Sequence, residues 1–146
     1  MRIISLWDPW ASFIAAGHKR YETRAWKTPY RGPLAIHAAQ TPKCIKDGTT
    51  ERLVKEIGED WEKWKNFNWP YGKIIVLCDL KDCIRTIDCR KDIHGVDRIL
   101  GDYSVGRWAW RLENVRVLKN PIPFKGMQGI RVLPKEIEEQ VLREAA

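Results

Sequence analysis

The sequence predicts an α+β fold built on a small, mainly antiparallel β-barrel or curled sheet with flanking helices. Strand-like segments outnumber helical ones, and they follow one another without the regular crossover helices of a parallel sheet. The most apolar run, Lys73 to Leu80, has the Ile-Ile-Val content of a central strand. With 146 residues, 44% hydrophobic and 31% charged, the chain is about the size of one domain, and no repeat, low-complexity run or Gly/Ser linker divides it.

In chain order, residues 3–7 suit a first strand, after which Asp8 can cap a short helix whose first position is Pro9. Trp10, Phe13 and Ile14 share a face of that helix, and Gly17 stops it. A turn through His18-Lys19-Arg20 leads into a strand over 21–26, where alternation puts Glu22, Arg24 and Trp26 on one side. Residues 29–33 form a loop and 34–39 a short apolar strand. Leu53, Val54, Ile57, Trp61 and Trp64 recur at helical spacing, predicting one helix over 50–67 with the charges of 59–63 on its solvated side. The strand from Lys73 continues through Ile84 and Ile87, and 88–105 reads as a polar, irregular lid or rim. Residues 106–118 give one bulged strand or two strands around Glu113-Asn114. After a turn at 121–123 comes a strand near 129–133, and Pro134 starts a terminal helix with Ile137, Val141 and Leu142 inward.

Composition narrows the function. No stretch approaches the ~20 apolar residues that span a bilayer, and Asp8 and Pro9 interrupt what would be the apolar core of a signal peptide. Neither a membrane protein nor a secreted one is expected. Cys44, Cys78, Cys83 and Cys89 form no C-x-x-C pair, and His18, His37 and His94 complete no zinc spacing, so reduced thiols in a cytoplasmic protein without metal or cofactor are expected. A formal charge of +7 and a pI near 9.4 favour a polyanionic partner such as RNA. Eight tryptophans, several beside charge as in Trp7-Asp8-Pro9-Trp10 and Arg24-Ala25-Trp26-Lys27, are the flat rings and cations that stack a base and hold a phosphate, or else the filling of a core.

The densest chemical cluster is Lys19, Glu22, Thr23 and Arg24. A turn entering a strand can aim Lys19 and Glu22 at one point, where a partly buried lysine beside a carboxylate stabilises an oxyanion or acts as a base. The alternative is an ordinary surface ion pair, worth ~0–1 kcal/mol. His37, in an apolar strand, reads as a hydrogen-bonded core residue.

Three motifs in order carry a resemblance. The stretch Ser5-Leu6-Trp7-x-Pro9-Trp10-Ala11, then Gly17-x-Lys19-x-x-Glu22-x-Arg24-x-Trp26, then Tyr30-Arg31-Gly32-Pro33-Leu34-x-Ile36-His37-Ala38 resembles the opening of an ASCH domain, a member of the PUA-like superfamily. Residues 101–110 resemble its later strand motif, and Pro121-Ile122-Pro123-x-Lys125-Gly126 is similar to the endothelial lipopolysaccharide-associated factor branch. The resemblance implies a PUA-like β-barrel with a cleft for RNA or a nucleoside. It also implies kinship with RNA-binding modules, a ribonuclease, and amidohydrolases that remove acyl groups from the N4 nitrogen of cytidine. In those amidohydrolases a threonine stands where this chain has Glu22, which turns the expected chemistry from a threonine nucleophile to water attack. Glu22 is then the general base, Lys19 the group that stabilises the oxyanion or protonates the leaving amine, and Asp102 the acid that orients Lys19; a turn-capping Asp102 is the other reading. The same frame makes Arg24 and Lys125 contacts for phosphate or base edge and Gly126 a point of close backbone approach at the cleft rim. Trp7, Trp10 and Trp26 are its stacking candidates, one of them belonging to the core.

Overall fold

The structure, a computed structural model, describes residues 1–146. Its elements are β1 (Arg2–Leu6), α1 (Trp10–Ala15), β2 (Tyr21–Arg24), β3 (Gly32–Ala38), α2 (Lys43–Lys46), α3 (Thr49–Glu56), α4 (Trp61–Trp64), β4 (Lys73–Arg85), α5 (Thr86–Cys89), α6 (Val96–Ile99), β5 (Trp108–Pro123), β6 (Arg131–Val132) and α7 (Lys135–Ala145). The six strands form one sheet in the order β2-β5-β4-β3-β1-β6. Only β1 and β3 run parallel, as Arg2↔Leu34 through Leu6↔Ala38; the other pairings are antiparallel. The sheet is therefore mixed and curls into a half-barrel with edges at β2 and β6.

Two apolar layers explain why the central strands read as continuous hydrophobic runs, since both faces are covered. On the inner face Ile4, Leu6, Leu34, Ile36, Val76, Trp110 and Leu112 pack against Ala11 and Ile14 of α1. On the outer face Ile3, Ala35, Ile74 and Leu77 pack with Leu118 and Ile122 of β5 and Val141 of α7. Alternation along β1 and β3 assigns the residues to these layers, and irregularities in the β4–β5 register keep one long ladder in step with both. Because β2 lies at the edge remote from β1, α1 carries the chain across the inner face.

The structure corrects several expectations. Asp8 does cap α1, accepting from Ser12 N at 2.9 Å, but Pro9 sits one position before the first helical residue, as Pro134 does before α7. The second strand ends at Arg24 and leaves out Trp26. The helix expected over 50–67 is two pieces: Gly58, at φ +78°, closes α3 with Glu59 N donating to Val54 O at 3.0 Å, and Asp60 caps α4 by accepting from Glu62 N at 3.0 Å. Trp64 is nevertheless buried beside Phe13. Residues 88–105 hold short helical turns as far as Ile99 and are irregular beyond it, Ile87 falls in α5 beyond the end of β4, and Pro121-Ile122-Pro123 finish β5 instead of turning. Leu142 faces solvent while Val141 faces the core. No helix is long and apolar enough to cross a membrane.

Candidate functional site

Gly17, at φ +83°, ends α1, and His18 N and Lys19 N both donate to Phe13 O, a tight turn that throws the Lys19 side chain inward. Lys19 is 1% exposed. Its ammonium donates to Leu100 O at 2.8 Å and lies 3.4 Å from Glu22 Oε1. The second Glu22 oxygen is 3.2 Å from Arg24 Nε, and Arg24 Nη2 donates to Ser5 O at 3.0 Å. Glu22 is thus a carboxylate, 12% exposed, fixed between two cations on the strand face that alternation assigns to it. Burial pushes the Lys19 ammonium below its ordinary range, with the neighbouring Glu22 charge opposing that shift.

Glu22 and Arg24 form the floor of a cleft of about 500 Å³. Trp7, Trp10 and Ser5 stand on one side, and Gly101, Asp102 and Arg107 on the other, with Arg52 of α3 also reaching in. Trp7 is 45% exposed, and Lys43 Nζ lies 4.8 Å from its ring centroid. Thr23 points away from Glu22 and pins the opposite wall, its hydroxyl accepting from Asp102 N at 3.0 Å and its carbonyl from Arg107 Nη2 at 3.2 Å. A side chain at Gly101 would meet the Tyr103 ring at 2.6 Å and Thr23 Cγ2 at 3.1 Å, which is why a glycine lines this wall.

Of the residues singled out in the sequence, Lys19, Glu22 and Arg24 come together, and Trp7, Trp10 and Asp102 line the same cleft. The Asp102 carboxylate, however, does not orient Lys19. It caps its own turn by accepting from Ser104 N at 3.1 Å and pairs with Arg107 at 3.4 Å, the Ser104 hydrogen bonds holding its pKa below the ordinary value. Trp26 is not brought to the cleft: beyond the end of β2 its ring packs edge-on against buried Trp110, centroids 4.9 Å apart. Lys125 and Gly126 do not line the cleft either. The Gly126 backbone instead lies against Ser5 and His37, where a Cβ would come within 2.8 Å of the imidazole.

Sequence reading missed the acid that organises this turn, Asp97, which accepts from Arg20 N at 2.7 Å and Arg20 Nε at 2.8 Å and whose charge favours the Lys19 ammonium. It missed Arg52 and the Leu100 carbonyl as well. His37 is a core residue with an assigned job: Nε2 faces Phe124 O at 2.7 Å, a carbonyl that only accepts, so Nδ1 accepts from the Ser5 hydroxyl at 2.9 Å. Burial lowers its pKa, in keeping with a neutral ring.

A curled, mainly antiparallel sheet with a helix crossing its inner face and a cleft beside that helix and the following strand is the PUA-like fold. The ASCH domain model matches residues 4–140, and the chain belongs to the ASCH domain family. It is similar to activating signal cointegrator 1 of Mus musculus and of Homo sapiens, 38% identical to each over 140 residues, covering 93% of this chain but 23% of theirs. The chain thus spans under a quarter of the length of those relatives. The crystal structure of ASCH from Zymomonas mobilis has a TM-score of 0.64 and 17% identity, covering 99% of this chain and 95% of that one, a likeness of fold.

Proposed function

We propose that the cleft binds a nucleobase, presented by RNA or by a free nucleoside. The observation that carries this reading is Glu22, an acceptor-only group held between Lys19 and Arg24 on the floor of a cleft walled by Trp7 and Trp10. A base amino group donates to such a carboxylate, its ring stacks on exposed indole, and Arg24, Arg52 and Arg107, which line the same cleft, would serve the sugar-phosphate side. The net charge of +7 suits a polymer more than a neutral nucleoside. Residues 1–146 are read as one such unit, and four free cysteines suit a reducing, cytoplasmic setting.

A second reading, hydrolysis of the N4-amide of an acylated cytosine, is favoured by one observation, the buried ammonium of lowered pKa 3.4 Å from Glu22. Water would attack the acyl carbon as Glu22 takes its proton, and the C–N bond would break as that proton reaches the leaving amine, with Lys19 stabilising the charge on the oxygen. Because both Glu22 oxygens face cations and Lys19 sits behind the floor, binding stands first.

The test is calorimetric titration with cytidine, N4-acetylcytidine and a short single-stranded RNA, alongside chromatography of the same mixtures after incubation. Saturable binding without new products supports a binding cleft, release of cytidine from N4-acetylcytidine supports the amidohydrolase, and shortened RNA supports a ribonuclease. Absence of binding to all three sinks the base-binding reading.

A further inference from the structure

A second cavity, of about 600 Å³, opens on the other side of α1 from the cleft. Ala15 of α1 and Ala16 just after it form one wall, Trp64, Phe67 and Pro70 another, and Ile75 of β4 with Val117 and Pro121 of β5 supply the base. Phe67 and Val117 are exposed there, so the half-barrel leaves an apolar surface uncovered at this mouth, the kind of place where barrels take small ligands.

One acid stands among the lining residues, which also include the polar Ser12 and Asn68. Glu59 is the only carboxylate among the lining residues, and its Oε1 is occupied twice: Trp64 Nε1 donates to it at 3.3 Å and His18 Nε2 lies 3.2 Å away. Its Oε2 accepts no hydrogen bond. The Trp64 hydrogen bond holds the Glu59 pKa below its ordinary value. The other charged or titratable groups lining the cavity are His18, engaged with Glu59, and Lys63 on the rim, whose ammonium lies 5.7 Å from the Trp64 ring centroid. A carboxylate whose second oxygen is free, at the edge of an apolar space, is complementary to a ligand that joins a positive charge to an apolar ring.

We propose that this cavity is a binding site for a small organic ammonium, a primary amine carried on an aromatic or aliphatic ring. The ring fills the space between Phe67, Val117 and Ala16, and the ammonium donates to Glu59 Oε2, next to the oxygen that the Trp64 indole N–H holds. The site is separate from the cleft and does not depend on what the cleft binds.

Titration with 2-phenylethylamine and with its neutral counterpart 2-phenylethanol, followed by the NMR resonance of the Trp64 indole N–H, tests this. The amine is expected to bind saturably and about tenfold or more tightly than the alcohol, the step a charge-assisted hydrogen bond supplies. Glu59→Gln is expected to bring the amine down to the level of the alcohol. Ala16→Leu, at the exposed residue that ends α1, is expected to weaken both ligands by filling the wall, and it keeps the test decisive if the Glu59 variant folds poorly. Equal affinity for amine and alcohol, no saturable change at Trp64, or binding that Ala16→Leu leaves untouched would overturn the proposal.

Discussion

Lys19 Nζ and Leu100 O meet at 2.8 Å although 81 residues of chain separate them. That bond ties the floor of the cleft to its far wall, with Asp97–Arg20 and Thr23–Asp102 fastening the same two segments on either side. Lys19 is therefore a structural member of the site as well as a charged one, and at 1% exposure its removal has consequences for the fold.

Lys19→Ala is expected to destabilise the protein by about 2–5 kcal/mol, because it opens a cavity, leaves Leu100 O without its donor and takes one of two cations from Glu22. Lys19→Met combined with Glu22→Gln, which removes both charges while keeping shape, is expected to cost less than the sum of its single changes. Urea unfolding of the four proteins measures this. Strict additivity would show that the 3.4 Å contact carries no coupling.

The spacing Gly17-x-Lys19-x-x-Glu22-x-Arg24 made the floor of the cleft legible, since a turn plus strand alternation is local information. The depth of Lys19 was not legible, because its acceptor is the carbonyl of Leu100 and every residue offers a carbonyl. Asp97 was hidden for the same reason: its partner Arg20 is brought to it by tertiary packing, whereas the motif pointed to Asp102. Trp26 misled because the alternation of β2 was extended two residues past its end. The break between α3 and α4 did have a local signal, Gly58-Glu59-Asp60, a helix stop followed by a helix cap. Periodic Leu53, Val54, Ile57, Trp61 and Trp64 outweighed it because both pieces feed one core cluster.

Asp8 makes stability depend on pH in a predictable direction. Burial raises its pKa above 3.8, and only one of its oxygens has a partner, Ser12 N at 2.9 Å. The folded state therefore holds this proton more tightly than the unfolded one, so the Asp8 contribution is fully favourable below pH 3.8 and is lost as pH rises through the raised folded value. Asp8→Asn keeps the cap without the charge. The stability of Asp8→Asn minus that of the unmodified protein is expected to increase as pH is raised from about 3.5 toward 7, read from unfolding at each pH; a constant difference would contradict the buried carboxyl account.

Gly101→Ala tests the wall of the cleft. The added methyl would lie 2.6 Å from the Tyr103 ring and 3.1 Å from Thr23, so about 1–3 kcal/mol of stability is expected to be lost. Ligand affinity should fall as well, since the wall that carries Asp102 and Arg107 must shift. Thermal unfolding with ligand titration of the same variant reads both effects.

Salt dependence separates polymer from nucleoside. If Arg24, Arg52 and Arg107 contact phosphates, the affinity for single-stranded RNA falls linearly on a logarithmic salt scale, and Arg52→Gln or Arg107→Gln lowers the slope by about 0.7 per contact removed. A nucleoside bound through Glu22 and the tryptophans alone shows almost no slope.

Whether Glu22 reads a base stacked on the Trp7 and Trp10 side of the cleft is tested most directly by an NMR titration of the indole resonances with cytidine or a short RNA. The account predicts saturable shifts at Trp7 and Trp10, none at Trp26, and an affinity about tenfold or more weaker in Glu22→Gln, whose amide cannot accept as a carboxylate does. Shifts centred on Trp26, or unchanged affinity in a folded Glu22→Gln variant, would contradict it.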